Sequence, residues 1–397
     1  MRGKREMPRR RDPLRIALCA VLAVLTLSAA VLLLKRSVPR REGPAASPVF
    51  SEDAAQLPQR PPAPPAGEPD PPAASPEPPE GAGDQTRFVI SLLGDCTLSS
   101  SHYTNHFESV VGDDLAYPFS NVAEILTADD LTLANLECSF SDRRLESTSQ
   151  YAFCGQTKYA QSLALGGVDC VSMANNHTLD FGSAGVADTA AALEDVEVTG
   201  LQGGQGMCFD LRHDGGAALR VGIYVLAFNG SPEQMKKGVA ALREDGADIV
   251  IACMHAGAEK IYVPTARQRS LARAAVSGGA DVVAGTHPHV LQPAETYQDG
   301  LILYSLGNFC FGGNRNPGDK DTVIAQLVVD VEEDGVSWEM EYVPCRVSSV
   351  SDKNDYRPTP YEQGSAAYQR CLRKLVSPWD TTTAEEAAEA AAAEQAR

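Results

Sequence analysis

The sequence predicts an α/β fold, and three observations carry the prediction. Strand-like and helix-like runs alternate from about Thr86 to about Cys345, the pattern of helices layered on a mostly central sheet. Five apolar runs have the length and β-branched content of buried strands. Each of those runs ends in a polar cluster: FVISLLGD at Asp95, LTLANLE at Glu137, CVSMANNH at Asn176 and His177, DIVIACMH at His255, and DVVAGTHPH at His287 and His289. Open α/β sheets gather their sites outside the carboxyl ends of the strands, so these clusters are expected to converge.

Taken from the amino terminus, residues 1–15 form a basic tail, expected to be cytoplasmic. Residues 16–34 form a 19-residue stretch without a charge. At 1.5 Å per residue a helix of that length spans ~28 Å, close to the hydrocarbon thickness of a bilayer. Seven Lys/Arg precede it and four follow closely. The more basic side is expected to stay cytoplasmic, which places the bulk of the chain outside. An uncleaved signal anchor is favoured over a cleaved signal peptide, whose apolar region is shorter and ends in a small-x-small site. Residues 35–85 read as a disordered, Pro-rich linker, because 14 of the 26 prolines fall within 39–85. Fully extended, residues 39–85 reach ~145 Å at ~3.1 Å per residue.

Residues 86–347 are expected to be the folded domain. Within it 183–195 and 235–245 read as helices, as does 264–277, with Pro264 near its first turn and glycines just after it. Residues 218–228, 301–304 and 322–331 read as further strands. Residues 348–397 are expected to be a C-terminal extension whose Ala/Glu-rich tail has no apolar face.

Charge narrows the partners. The net charge is −18, residues 1–41 carry +9 (eleven Lys/Arg against two Asp/Glu), and the remainder therefore carries −27. A domain that acidic does not suit nucleic acid. The ten cysteines show no CxxC and no regular spacing. An exported chain usually pairs its cysteines, yet Cys170, Cys253 and Cys310 lie inside apolar runs that suit buried thiols.

The chemistry resides in the strand-end residues. Asp95 follows a small residue that lets the backbone turn. Asn135 and Glu137 alternate, so one face of a strand carries both. Asn176 beside His177 offers a ligand and a proton donor. His287-Pro288-His289, read as an extended segment, aims two imidazoles the same way. Four of the seven histidines fall at such positions. A mixed nitrogen and oxygen set without thiolate suits Mn, Fe or Zn in a two-metal hydrolase centre. Cys96 and Cys138 are expected to point to the opposite face and pack.

The motifs GDCTL, ANLE, ANNHTLDFG, HAGAE, GTHPHVLQP and YSLGNF stand in the order and spacing of the CapA family, and over roughly residues 88–315 the chain resembles it. These are capsule or poly-γ-glutamate biosynthesis proteins related to calcineurin-like metallophosphatases. The resemblance implies a four-layer α/β/β/α metallophosphoesterase-like sandwich and two divalent metals. It implies Asp95 and His289 as ligands of one metal, Asn176, His255 and His287 of the other, and Glu137 as the bridge. His177 is the implied acid beside the leaving group, while Asn135, Glu259, Ser305 and Asn308 support the ligands or the substrate. Thr97 and Glu137 stand where the wider metallophosphatase pattern has His and Asp, and Ala256 stands where the family has Trp after the fourth-motif His. The resemblance further implies a single-pass cell-membrane protein with its catalytic domain outside the cytoplasm, working on an anionic polymer or a phosphoester beside a polymer synthesis complex. Three functions stay open: capsule or poly-γ-glutamate assembly, a generic envelope phosphoesterase, and a degraded binding subunit of an export complex.

Overall fold

The computed structural model describes residues 86–376, apart from 102, 103, 148, 150, 214, 215, 228 and 334. The anchor expected at 16–34, the linker at 35–85 and the tail from Thr381 lie outside the described residues. Among the described residues no helix is long and apolar enough to cross a membrane.

The strands run in chain order as β1 (Arg87–Thr97), β2 (Leu131–Leu136), β3 (Ser139–Phe140), β4 (Cys154–Gly155), β5 (Cys170–Ser172), β6 (Thr199–Leu201), β7 (Gly206–Arg212), β8 (Ala218–Ala227), β9 (Ile249–His255), β10 (Val282–Thr286), β11 (Leu291–Tyr297), β12 (Gly300–Leu306), β13 (Asn308–Phe311), β14 (Asp321–Glu332), β15 (Gly335–Arg346) and β16 (Thr359–Pro360). The α-helices are α1 (His106–Val111), α2 (Ala123–Leu126), α3 (Ala160–Leu165), α4 (Gly182–Glu194), α5 (Pro232–Glu244), α6 (Ala266–Ser277) and α7 (Ala366–Val376).

Two large mixed sheets result. The first has the order β16-β15-β14-β1-β2-β5-β6, with β13 pairing β1; the second has the order β11-β12-β10-β9-β8-β7. In each, the central strands run parallel: β1, β2, β5 and β6 in one, β8, β9, β10 and β12 in the other. Antiparallel strands flank them.

Side-chain alternation explains the layering. In β9, Ile249, Ile251 and Cys253 enter a core shared with Ile90, Leu92 and Leu133 of the first sheet. Val250, Ala252 and Met254 face the other way, onto Met235 and Val239 of α5 and Leu271 and Ala275 of α6. On the far side of the first sheet, Cys96, Ala134 and Val171 pack with Phe107 of α1, Leu163 of α3 and Leu193 of α4. The order is helix, sheet, sheet, helix. Strands buried on both faces read as unbroken apolar runs, which is why they were legible. Cys96 and Cys138 lie in the outer core, as expected.

Helix ends follow local chemistry. Ser231 caps α5 through its side chain, with Pro232 in the first turn. Thr265 and Gln268 form a capping box on α6, so Pro264 precedes the cap instead of opening the first turn. Residues beyond 347 are part of the same layers. Thr359 pairs with Arg346, Tyr356 joins the outer core, and Cys371 and Leu375 of α7 join the inner one. No disulfide occurs among the nine described cysteines, seven of which are buried.

Candidate metal centre

Six strand ends and the turns beyond them meet at one edge of the two sheets. Asp95 sits near the end of β1 and is wholly buried. Its position depends on Gly94: a Cβ there would lie 2.0 Å from the carbonyl oxygen of Gly307. Only glycine lets β1 approach that turn, and the Asp95 N–H then donates to the same carbonyl at 2.9 Å. One oxygen of Asp95 accepts from Asn135 Nδ2 at 2.8 Å, and the other stands 3.1 Å from His289 Nδ1.

Glu137 follows β2 and is also wholly buried. Neither of its carboxylate oxygens has a hydrogen-bond partner. Around it stand His255 Nε2 at 3.4 Å, His289 Nδ1 at 3.9 Å and His177 Nε2 at 4.0 Å. Thr97, in the place of the wider pattern's histidine, donates its hydroxyl to the Glu137 carbonyl at 3.3 Å instead of facing the cluster.

β5 stops at Ser172, earlier than the apolar run implies. The chain beyond it turns, held by Asn175, whose Nδ2 donates to Leu136 O at 2.7 Å and to Asn135 Oδ1 at 3.2 Å. That turn presents Asn176, whose Oδ1 lies 2.7 Å from His255 Nε2. It also presents His177, whose Nδ1 meets Asp180 Oδ2 at 2.8 Å. The Phe153 N–H holds the same Asp180 oxygen at 3.1 Å, and the Phe153 ring meets the imidazole edge-on at 4.7 Å.

The His-Pro-His segment differs from its expected extended shape. β10 ends at Thr286, and φ is 98° at His287 and 57° at His289. Left-handed backbone at two non-glycine residues is unusual and costs energy that the surroundings must offset. Here the turn is pinned by the His287 N–H donating to Asp95 Oδ2 at 3.3 Å and by Lys260 N–H donating to Pro288 O at 2.8 Å. The two imidazoles therefore reach different partners: His287 Nδ1 stands 3.1 Å from His255 Nε2, and His289 Nδ1 stands 3.0 Å from Asn308 Oδ1.

The structure thus brings together Asp95, Asn135, Glu137, Asn176, His177, His255, His287, His289 and Asn308. Glu259 lines the groove outside them. Ser305 lies apart, accepting from the Gly307 N–H at 3.2 Å and shaping the turn under Asp95. Sequence reasoning did not assign Asn175, Asp180 or Thr286. Asp180 stands three residues beyond His177, and Thr286 Oγ1 stands 3.0 Å from His255 Nδ1. All three lie inside the motifs ANNHTLDFG and GTHPHVLQP, which are the sequence signal for them.

The electrostatics are those of a site short of positive charge. Burial, and then the charge of Asp95, push the Glu137 carboxyl up to about 8. Burial works against ionisation of Asp95 too, but His289 and His255 outweigh it and hold that carboxyl below its ordinary value. His255 is pushed down to about 3 by burial, and His287 falls well below the ordinary imidazole value for the same reason. Neutral imidazoles and anionic carboxylates are the forms that bind metal. Glu137, His287 and His289 offer ligand atoms all within 4.8 Å of one another. A buried carboxylate with no partner is costly, and a divalent cation among these nitrogen and oxygen donors removes that cost. The residues fit a metal.

Known proteins resemble this chain over most of the described domain. The family model described as "Bacterial capsule synthesis protein PGA_cap" matches residues 89–205 and 212–313. The capsule biosynthesis protein CapA of Bacillus anthracis is 25% identical over 302 residues, covering 68% of this chain and 70% of that one. The PGA biosynthesis protein CapA of Bacillus subtilis (strain 168) is 29% identical over 229 residues, and the match spans 52% of this chain and 56% of that relative. Among solved structures, TT1561 of Thermus thermophilus aligns with a TM-score of 0.35 at 10% identity, over 64% of this chain and 99% of that one. With more than half of its length inside the family model, this chain belongs to the bacterial capsule synthesis protein family, the CapA proteins.

Proposed function

We propose that the chain serves capsule or poly-γ-glutamate assembly as a phosphoester hydrolase of the metallophosphoesterase type, anchored in the cell membrane by residues 16–34 with its catalytic domain outside. The observation that carries this is Glu137, a buried carboxylate without hydrogen-bond partners between two donor sets. Asp95 and His289 form one set, and Asn176, His255 and His287 form the other. Two divalent ions, Mn, Fe or Zn, would occupy them with Glu137 shared. When bound, they supply Lewis-acid charge at the phosphoryl oxygens.

The protein's own groups do the rest. Asn135 and Asn308 orient Asp95 and His289 by the hydrogen bonds given above. Asp180 occupies Nδ1 of His177, leaving Nε2 on the side of Glu137 and the groove. Burial lowers the proton affinity of His177, but the Asp180 hydrogen bond and the Glu137 charge outweigh it and raise the net value. His177 therefore holds a proton that it can donate to a departing oxygen. The capsule and poly-γ-glutamate roles named for the relatives are the basis for the pathway and for a synthesis complex as partner; the acidic charge argues against nucleic acid.

The test is metal content by elemental mass spectrometry with esterase assays on the purified protein and on His289→Ala. Bound metal and activity, both lost in the variant, are the expected result. Absence of metal under every loading condition overturns catalysis and leaves a binding subunit.

A further inference from the structure

Beside the metal centre lies a groove of about 970 Å³, large enough for a substrate of several rings. Its wall contains Tyr151 and Tyr262, which are 64% and 47% exposed, the only aromatic side chains so exposed among the described residues. Tyr262 is not loose. Its hydroxyl donates to Asp319 Oδ2 at 2.8 Å, and Lys374 of α7 holds that same oxygen at 2.5 Å with its ammonium 5.7 Å from the ring. Fixing an exposed ring costs side-chain entropy and gives folding little apolar burial in return. A rigid, solvent-facing ring beside a reaction centre is a pre-formed stacking platform.

Charge selects what stacks there. Apart from histidines, the groove's charged side chains are Asp180, Glu259 and Asp319 against Lys260. Asp319 is held by Lys374 and Asp180 by His177, so this wall carries no row of cations to pair with the one carboxylate per residue of a polyglutamate chain. A sugar brings an apolar ring face for tyrosine and hydroxyl donors for an acceptor-rich surface. Nucleobases stack as well but offer fewer donors.

Building on the hydrolase reading above, we infer that the substrate of this site is a glycosyl phosphoester whose uncharged sugar portion binds in the groove against Tyr262, and not the anionic polymer itself. Hydrolysis then joins the oxygen of water to phosphorus and breaks the bond from phosphorus to the sugar oxygen. That oxygen takes the proton of His177, which is regained from the proton that water releases.

The test is an array of neutral and amino-sugar bacterial oligosaccharides, with an oligo-γ-glutamate and a set of nucleoside monophosphates as competitors. It is probed with the detergent-solubilised full chain and with Tyr151→Ala, Tyr262→Ala and Tyr262→Phe, metal content being measured on every sample. Retention of sugars, weakened about tenfold by Tyr262→Ala and largely kept by Tyr262→Phe, supports the inference. Tyr262→Phe, which keeps the ring, also separates loss of stacking from loss of folding. Retention of no sugar by a metal-loaded protein overturns the inference and leaves the hydrolase reading standing. Tighter binding of oligo-γ-glutamate or of a nucleotide, indifferent to Tyr262→Ala, also overturns it. Sugar binding by a protein that takes up no metal sinks the hydrolase reading and with it the phosphoester substrate, leaving a sugar-binding groove at Tyr262.

Discussion

Replacing Glu137 by glutamine should make the metal-free protein more stable and the metal-loaded protein less so. Glu137 is fully buried, its two oxygens have no partner, and its carboxyl is pushed up to about 8 from an ordinary 4.5. A carboxyl whose folded value is raised binds a proton in the folded state that the unfolded chain has already released. Stability without metal therefore falls as pH rises from about 4.5 towards 8. A shift of that size has a ceiling of ~5 kcal/mol at 1.36 kcal/mol per unit, and relaxation of the site reduces it to ~1–3 kcal/mol. Glutamine does not ionise, so the fall should vanish and the variant should exceed the parent by that smaller amount at pH 8.

Metal reverses the sign. A ligand present at a hundred times its dissociation constant stabilises the parent by ~2.7 kcal/mol, and on the proposed metal-centre reading the variant lacks a carboxylate that most of this gain requires. Urea denaturation at pH 5 and pH 8, with chelator and with Mn²⁺, measures all four corners. A variant less stable than the parent in chelator, or one with an undiminished metal response, refutes the reasoning.

Three further outcomes follow from the same structure. Asp180→Asn should lower turnover about ten- to a hundredfold by weakening the hold on His177. Metal content should not change, and loss of metal would mean that Asp180 supports the ligands instead. Asp321 is opposed by its burial, but hydrogen bonds from Arg370, Lys374 and Tyr361 hold its carboxyl down at about 2. Its contribution is present above pH 4 and lost as pH falls from about 4 to about 2, so the acid limb of the stability curve should flatten in Asp321→Asn. Substituting Lys374 by methionine should loosen Asp319 and Asp321 together, and limited proteolysis should then release α7 sooner than in the parent; an unchanged cleavage rate contradicts that linkage.

The parts of this molecule legible in the sequence are those where local pattern and burial agree. β9 and β10 are covered on both faces, so DIVIACMH and DVVAGTHPH read as strands and end at His255 and just before His287. Asn135 and Glu137 fall on one side because strand geometry alternates. The His-Pro-His turn was not legible, because left-handed φ at histidine has no residue signature and is imposed by distant groups, Asp95 and Lys260. The early end of β5 has the same origin: Asn175 bonds across to Leu136, a partner that no local window contains. The role of α7 was hidden too, since only Cys371 and Leu375 of that helix are buried and both meet residues remote in the chain.

The division of labour between the sheets leads to one more expectation. Asp95, Glu137 and Asn176 extend from strands of the first sheet, while His255, His287 and His289 extend from strands of the second. Oxygen donors stand on one side of the seam and nitrogen donors on the other. Any cation held by both kinds of ligand therefore staples the two sheets at the end of their shared core. Its binding energy should appear as resistance to separating them, beyond the loops that carry the ligands. Hydrogen exchange can read this directly. On adding Mn²⁺, amides near the carboxyl ends of β1, β2, β9 and β10 should all slow together, and those of the β14–β15 hairpin at the far edge should slow only as far as global unfolding does. Protection confined to the His287–His289 turn would mean that the ion is held by one side of the seam, and the bridging role of Glu137 would fall with it.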